Sequence, residues 1–369
     1  MPSRASWRAV LLWFCGSRLI IAAIVVIGVA TFLNQRQPGE VLGLASLNPQ
    51  TVWLKWDVEW YQQIALHGYA WRLDDVKGQA AAAFFPLYPL TIGLLLRAMP
   101  FVSFFWLATM VSNLLALTAL AIAVEHLTTG AEQVKRFLLV MVTSAGSFYL
   151  SIPYTESLFL LLVVSVMILT RRHKWFWAAA LAGLAATTRV HGLALIAVPV
   201  ITCRLDSTAP LPTRFTRIAI MLLLFAVPVA VYLWYQGVVQ GSAEAFVIRQ
   251  GMWDNALPYP FKAVVGLLQF PGRLSGWMHG AFWATWVALL VRYWNRMPLG
   301  EALFSAGALV ISTQQESFHG VYRYVTPLVP LALALANDDT EWRQPIVIAN
   351  IIFAVIMILA FVTWNRLAV

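Results

Sequence analysis

The amino-acid sequence predicts an all-α polytopic membrane protein that forms a single transmembrane domain over residues 1–369. Of its residues, 60% are hydrophobic and only 11% are charged, whereas soluble domains carry about 25% charged residues. Apolar runs of roughly 15 to 25 residues recur along the whole chain, which is the length that a membrane-spanning helix needs. A β-barrel would instead show shorter segments of alternating hydrophobicity.

The first apolar run predicts a helix from Ala9 to Leu33, with Arg4 and Arg8 held on the inner side of the membrane. It is longer than a signal-peptide core and has no small-residue cleavage site, so we expect it to remain as a membrane helix. The helix then delivers residues 34–83 to the outer side. A loop of this length is usually functional.

The next segment, Phe84–Met99, is short and contains Pro86 and Pro89. We interpret it as a helix at the outer interface, because counting it as a crossing would place the following charged loop on the wrong side. Residues 34–100 are therefore predicted to form the first extracytoplasmic loop, with short interfacial helices within it.

Ten further apolar segments complete a prediction of about eleven transmembrane helices. They are residues 101–124, 137–152, 157–170, 175–188, 191–203, 218–240, 277–293, 299–313, 325–336 and 346–363. Residues 241–274 form a second long extracytoplasmic loop. About half of the lysines and arginines then lie in short inner connections, as the positive-inside rule expects.

The net charge of +9 does not indicate nucleic-acid binding, because the basic residues lie mostly in short loops between apolar runs. Cys15 and Cys203 fall within apolar segments, so no disulfide is predicted. The chain has no Asn-x-Ser/Thr acceptor site, which is compatible with a bacterial plasma (inner) membrane.

Trp56, Asp57 and Glu59 lie just before a predicted helix that runs from Tyr61 to His67. An acid at the mouth of a membrane cavity can take a proton from a hydroxyl nucleophile, so Asp57 is a candidate general base. The alternative is that Asp57 caps the helix. Glu59, two residues on, is a candidate lining residue, although its spacing favours a solvated surface acid.

A second acid, Glu156, follows Tyr154 and Thr155 at a predicted outer turn, where it either caps the next helix or lines a cavity. Arg189 and Arg323 lie at two further outer turns. An arginine at the hydrocarbon edge suits a lipid phosphate, because its planar fork donates in pairs. The alternatives are snorkelling to the interface or pairing with an acid inside the bundle.

The other candidate site residues are mostly aromatic or polar neighbours of these charges. His191 and Tyr324 are assigned to the phosphate with the two arginines. The predicted substrate-lining residues are Trp56, Glu59, Tyr61, His67, Tyr69, Tyr154, Gln250, Trp253 and His319. Most of the 17 tryptophans lie near helix ends, where an interfacial belt explains them.

Six histidines without paired spacing do not predict a zinc site. A divalent cation, Mg²⁺ or Mn²⁺, held by Asp57 and Glu156 stays open.

The segment WDVEWYQQIALHGY, followed by FFPLYP, resembles the opening outer loop of the PIG-V-like mannosyltransferase family. Weaker matches follow in the same order at PYTESLF, TTRVHG, FVIRQGMW and RYVTPLVP. The resemblance therefore covers nearly the whole chain, and its first block is the specific one. The chain departs from the family at Val190 and His191, where Ser-Asn is usual.

The resemblance implies a GT-C-like fold and an enzyme of the GT-C glycosyltransferase superfamily. Such an enzyme uses a polyprenyl-phosphate sugar as donor and carries a catalytic acid in its first outer loop. Asp57 takes the place of that acid, Glu156 that of the acid in the Pro-Tyr-Ser/Thr-Glu motif, and Arg189 that of the arginine before the glycine. Asp57 and Glu156 are thus the expected catalytic residues.

The expected activity is transfer of a sugar, with inversion, to a hydroxyl of a glycan, glycolipid or protein acceptor on the extracytoplasmic side. Membrane lipid is an expected partner and nucleic acid is not.

Two other function classes are weighed against this one. A lipid or amphiphile transporter or flippase would place its polar groups near mid-membrane and would often show internal repeats. Here the polar segments gather on one predicted side and no repeat is found. A catalytically inactive GT-C-like subunit is the third possibility, and the presence of Asp57 argues against it.

Overall fold

The computed structural model describes residues 4–31, 49–69, 81–250, 259–270, 272, 274–315, 317–318, 320–340 and 343–363. Within these ranges the regular elements are helices, and no strand occurs among them. The all-α prediction is therefore confirmed for the described chain.

The N-terminal third contains one long helix followed by several short ones. The long helix is α1 (Arg4–Thr31), and the short ones are α2 (Pro49–Trp53), α3 (Asp57–His67) and α4 (Leu87–Ala98). The segment predicted to lie at the interface thus contains a helix too short to cross a membrane, since 12 residues span about 18 Å. Pro89 falls in the first turn of α4, where its missing N–H is tolerated.

The middle of the chain contains helices of 4 to 30 residues. They are α5 (Phe104–Leu127), α6 (Ala131–Thr143), α7 (Glu156–Arg171), α8 (Trp175–Ala186), α9 (Gly192–Leu195), α10 (Ala197–Leu205), α11 (Leu211–Gln240) and α12 (Ala245–Gln250).

The last described part of the chain contains two long helices and several shorter ones. It contains α13 (Lys262–Gln269), α14 (Leu274–Tyr293), α15 (Leu299–Ile311), α16 (Val321–Val325), α17 (Val329–Ala336) and α18 (Arg343–Val362).

Among the described residues, five helices are long and apolar enough to cross a membrane. They lie at Trp7–Thr31, Phe104–Leu127, Leu211–Gln240, Leu274–Arg296 and Arg343–Val362. Several of the other predicted crossings coincide with shorter apolar helices, such as Trp175–Ala186 and Leu299–Ile311.

Three segments differ in detail from the sequence prediction. The inner loop predicted up to residue 217 is shorter, because α11 begins at Leu211 with Pro212 in its first turn, a position that proline favours. The predicted crossing at 137–152 consists of α6 and a short 3-10 turn, Ser147–Leu150. Residues 191–203 form α9 and most of α10 rather than one helix.

Helix α7 lies at the centre of the bundle, packed against α5 and α8 and buried along most of its length. Helix α11 packs on α8 at Gly183, where an added Cβ would lie 2.5 Å from the carbonyl oxygen of Phe225. Only Met221, Tyr232 and Gln236 of α11 are buried, as expected of a helix that faces lipid.

Ion pairs join the segments that were predicted to share the inner side. Arg171 at the end of α7 pairs with Glu301 at 3.0 Å, and Arg292 at the end of α14 pairs with Asp338 at 3.1 Å. Segments predicted on the outer side meet one another at the other end of α7. Charged residues thus gather at the two ends of the helical bundle, in the two groups that the sequence predicted. The membrane side that each end faces stays a prediction.

Candidate functional site

The site is built around Asp57, which begins α3 directly after a tight turn. The N–H of Val58 donates to the carbonyl oxygen of Lys55 at 3.2 Å. Trp56 lies in this turn at the N-cap position, with φ 58° and ψ −127°. Because Trp56 occupies the cap, Asp57 does not cap α3, and its carboxylate is directed to an arginine instead.

Four charged side chains from distant parts of the sequence form one alternating chain. Arg323 Nη1 donates to Asp57 Oδ2 at 3.0 Å, and Arg323 Nε donates to Glu156 Oε1 at 2.8 Å. Arg189 Nη1 lies 2.6 Å from the same Glu156 oxygen and donates to the Thr155 hydroxyl at 2.9 Å. Carboxylate and guanidinium groups therefore alternate along the chain, and their formal charges cancel.

Burial increases along this charge chain from one end inwards. The side chain of Asp57 is 20% exposed and that of each arginine is 7% exposed, while Glu156 is fully buried. Asp57 is thus the most accessible member, and Glu156 lies behind it as the shared counter-ion of both arginines.

Aromatic rings surround the two guanidinium groups. The Arg323 guanidinium lies 4.8 Å from the ring centroid of Tyr149 and 4.7 Å from that of Tyr154. The Arg189 guanidinium lies 5.1 Å from the ring centroid of Tyr324. Such cation–π contacts stabilise a partly desolvated cation, so the rings fix both arginines in place.

His191 is buried beside Arg189 and packs on the Tyr324 ring, with the ring centroids 4.4 Å apart. Neither ring nitrogen of His191 has a hydrogen-bond partner among the described residues. Gln315 Nε2 donates to the Tyr324 hydroxyl at 3.1 Å and holds that ring. His191 therefore brings an unused donor and an unused acceptor to the edge of the charge chain.

Local backbone features explain how each charge reaches the site. Arg189 follows α8, and α9 returns so closely that a Cβ on Gly192 would lie 2.3 Å from the carbonyl carbon of Ala185. Glu156 begins α7, where the helix N-terminus favours an anion. Arg323 lies in α16, which follows Gly320 at φ 75°, a conformation that glycine adopts without strain.

Predicted lining residues lie at varying distances from this charge chain. Tyr61 is buried, with its ring centroid 5.8 Å from that of Tyr154. Burial, with the nearby Asp57 carboxylate, raises the pKa of Tyr61, so its hydroxyl stays protonated. Glu59 is half-buried, and His67 is exposed at the opposite end of α3, about 15 Å along the helix axis from Asp57.

Tyr69 lies in a neighbouring aromatic cluster with Phe84, and Gln250 bonds to the backbone beside that cluster. The Tyr69 hydroxyl donates to the carbonyl oxygen of Phe84 at 2.6 Å, and Gln250 Nε2 donates to that of Ala83 at 2.8 Å. Trp253 and His319 lie outside the described residues.

Two residues of the site were not assigned a role from the sequence. Tyr149 forms one of the rings over Arg323, and nothing in its apolar segment singles it out. Lys55 is buried beside the turn that carries Asp57. A lysine directly before the acidic motif was a visible signal, but its partner is 307 residues away along the chain.

A divalent cation shared by Asp57 and Glu156 does not fit the observed arrangement. The guanidinium of Arg323 lies between the two carboxylates and donates to both. Among the described residues, no group of three or more histidine, cysteine or acidic side chains could hold a metal.

The arrangement offers an accessible carboxylate next to unused cationic donors. Asp57 Oδ1, Arg189 Nε and Nη2, and Arg323 Nη2 have no hydrogen bond to the described residues. Such a set can accept a proton at the carboxylate and stabilise an anion at the guanidinium groups. Comparisons with protein-family models, curated proteins and solved structures found no match to the chain.

Proposed function

We propose that the protein is an integral-membrane glycosyltransferase, a mannosyltransferase of the GT-C type, which takes its sugar from a polyprenyl-phosphate donor. The observation that carries the proposal is the charge chain formed by Asp57, Arg323, Glu156 and Arg189. It joins an accessible acid to two arginines, and its four members come from four of the segments that resemble the mannosyltransferase motifs.

In the proposed reaction, the acceptor hydroxyl gives its proton to Asp57 as its oxygen attacks C1 of the sugar. The bond between C1 and the phosphate oxygen breaks, and its electron pair leaves with polyprenyl phosphate. Attack from the face opposite the phosphate inverts the configuration at C1. Because the phosphate leaves as an anion, no general acid is required, and the arginines stabilise its developing charge.

The two acids are proposed to have different roles because they differ in solvent accessibility. Asp57 Oδ2 is occupied by Arg323, so Oδ1 is the oxygen proposed to take the proton. Glu156 is fully buried between the arginines, and we assign it an electrostatic role in which it holds both guanidinium groups towards the phosphate. His191 supplies a further hydrogen bond to the phosphate.

The proposed topology keeps about eleven crossings with the charge chain at the extracytoplasmic end. Several of these crossings are short, since a 12-residue helix such as α8 spans about 18 Å of a hydrocarbon core that is about 30 Å thick. Local thinning, or a cavity open to the outer side, accommodates such helices. A cavity of this kind gives a lipid-linked sugar a route to the charges.

The test uses the purified protein in proteoliposomes with ¹³C-labelled polyprenyl-phosphate mannose. A membrane extract from a strain that lacks the gene supplies acceptors, and mass spectrometry follows both products. We expect labelled mannose to appear on one component of the extract while an equal amount of polyprenyl phosphate is released. Movement of the intact donor across the bilayer without its consumption would instead favour the transporter.

A further inference from the structure

The turn that carries Asp57 is held to the end of the last described helix by a buried lysine. Lys55 is only 1% exposed, and its Nζ donates to the carbonyl oxygen of Val362 at 2.5 Å. Val362 is the last residue of α18. The final carbonyl groups of a helix have no partner within the helix and carry a partial negative charge, so the ammonium group caps this helix end.

The same turn contains a backbone conformation that a tryptophan rarely adopts. The angles of Trp56, φ 58° and ψ −127°, are those of the first central residue of a type II′ turn, where glycine is strongly preferred. A non-glycine residue in such a region persists only where its surroundings determine the backbone, and these positions concentrate at functional sites.

Contacts on both sides of Trp56 maintain this conformation. On one side, the Lys55 carbonyl accepts from Val58 and lies 3.5 Å from the Tyr154 hydroxyl. On the other side, Asp57 is held by Arg323. The Lys55 side chain ties this turn to α18.

Aromatic packing places the end of α18 within the site. The Phe361 ring lies 5.7 Å from Trp53, 5.7 Å from Tyr149 and 6.1 Å from Tyr154, measured between ring centroids. Two of these residues are the rings over the Arg323 guanidinium. The end of α18 therefore contacts the first outer loop and the walls of the charge chain together.

We propose that Lys55 is a positioning residue, which holds the strained turn at Trp56 against the C-terminal end of α18 and thereby fixes Asp57 beside Arg323. Burial of an ammonium ion is costly unless hydrogen bonds replace its hydration, so packing alone does not account for a lysine at this position. The role of Asp57 as base rests on the proposed function, whereas the placement of its carboxylate does not.

The experiment compares Lys55→Met with Lys135→Met, which removes an exposed lysine. Methionine keeps the length of the lysine side chain and suits a buried site. Labelling of Asp57 by a carbodiimide with glycine ethyl ester, read by mass spectrometry, reports how firmly the carboxylate is held. We expect labelling of Asp57 to be about tenfold faster in Lys55→Met, because the strained turn relaxes. The labelling rate should stay unchanged in Lys135→Met.

Labelling of Asp338, at the other end of the bundle, separates a local effect from general loosening. The expected result is faster labelling at Asp57 with no change at Asp338. Turnover with polyprenyl-phosphate mannose should fall about tenfold to a hundredfold, as for a small displacement of a catalytic group, at unchanged donor KM.

Equal acceleration of labelling at Asp57 and Asp338 would show that Lys55 contributes only to general stability, which would overturn the proposal. A labelling rate at Asp57 equal to that of the wild-type protein would also overturn it. If Lys55→Met does not fold, Lys55→Gln, which keeps a donor near the helix end, is measured in the same way. Failure of both variants to fold would also assign Lys55 to stability. Absence of transfer by the wild-type protein would remove the proposed function, and the labelling would still decide the role of Lys55.

Discussion

Helix α7 separates two groups of ion pairs that use the same residue types in different ways. At its N-terminal end, Glu156 is fully buried between Arg189 and Arg323, both 7% exposed. At its C-terminal end, about 24 Å away along the axis of a 16-residue helix, Arg171 pairs with Glu301 and is 40% exposed.

The nearby pair of Arg292 and Asp338 resembles the Arg171 pair, with its arginine 35% exposed. Exposed arginines at helix ends are explained by snorkelling and by the charge bias of membrane proteins. That explanation fails for arginines that are buried and share one acid, because desolvating several charges is costly. Buried charges of this kind indicate a functional site, so we assign the chemistry to one end of α7 and anchoring to the other.

Replacement of the acid at each end should separate rate from stability. Asp57→Asn should lower sugar transfer by a factor of about 10² to 10⁴, the usual contribution of a general base, with donor binding largely kept. Asp338→Asn should leave the rate per folded molecule unchanged. Steady-state transfer from polyprenyl-phosphate mannose measures both. Full activity of Asp57→Asn would remove the base assignment.

Loss of the shared counter-ion should be the most destabilising of the matched acid-to-amide changes. Glu156→Gln leaves two buried arginines without their acid and should lower the free energy of unfolding by about 3–5 kcal/mol. Glu301→Gln should lower it by about 1 kcal/mol, because its partner Arg171 is substantially exposed. Thermal unfolding in the same detergent compares the two. Equal losses would show that the two ends are energetically alike.

The anchoring end should weaken selectively at low pH. Burial opposes ionisation of Asp338, but hydrogen bonds from Tyr293, Thr340 and Arg292 outweigh it and lower its pKa. A lowered folded-state pKa stabilises the protein above the unfolded-state value of about 3.9. This stabilisation should be lost as the pH falls below about 4, and Asp338→Asn should abolish that part of the pH dependence of unfolding.

Removal of divalent cations should have the smallest effect. A catalytic metal contributes several kcal/mol to transition-state stabilisation, so its removal would slow transfer greatly. Because Arg323 lies between Asp57 and Glu156, we expect a chelator to change turnover by less than about twofold. A large loss of turnover that Mg²⁺ or Mn²⁺ reverses would mean that Arg323 moves away from the two carboxylates when substrate binds.

Much of the helical layout could be predicted because membrane crossings leave long apolar runs. The predicted ends of the first and last helices lie within about five residues of the observed ones. Asp57 was singled out in the first predicted outer loop, and Glu156, Arg189 and Arg323 were singled out at predicted outer turns. Hydropathy does not give the exact helix ends at residues 191–205 and 211–217, since close packing at Gly192 and a first-turn proline decide them.

The order of the charges could not be predicted from the sequence. Asp57 and Arg323 are separated by 266 residues, and their contact depends on how several helices pack. The same holds for Lys55, whose partner is a backbone carbonyl with no side-chain signal. Tyr69 and Gln250 were grouped with the site because they lie in the two long predicted outer loops, whereas their side chains bond to the backbone carbonyl groups of Phe84 and Ala83.

The most direct test of the account is the affinity of each end for the lipid phosphate. Native mass spectrometry can measure the Kd of polyprenyl phosphate for the wild-type protein, Arg189→Lys and the matched variant Arg171→Lys. Lysine keeps the charge but loses the paired donors. We predict a Kd about tenfold higher for Arg189→Lys, the effect of one lost charge-assisted hydrogen bond, and no change for Arg171→Lys. Equal Kd values for all three proteins would contradict the assignment of the lipid phosphate to the buried arginines.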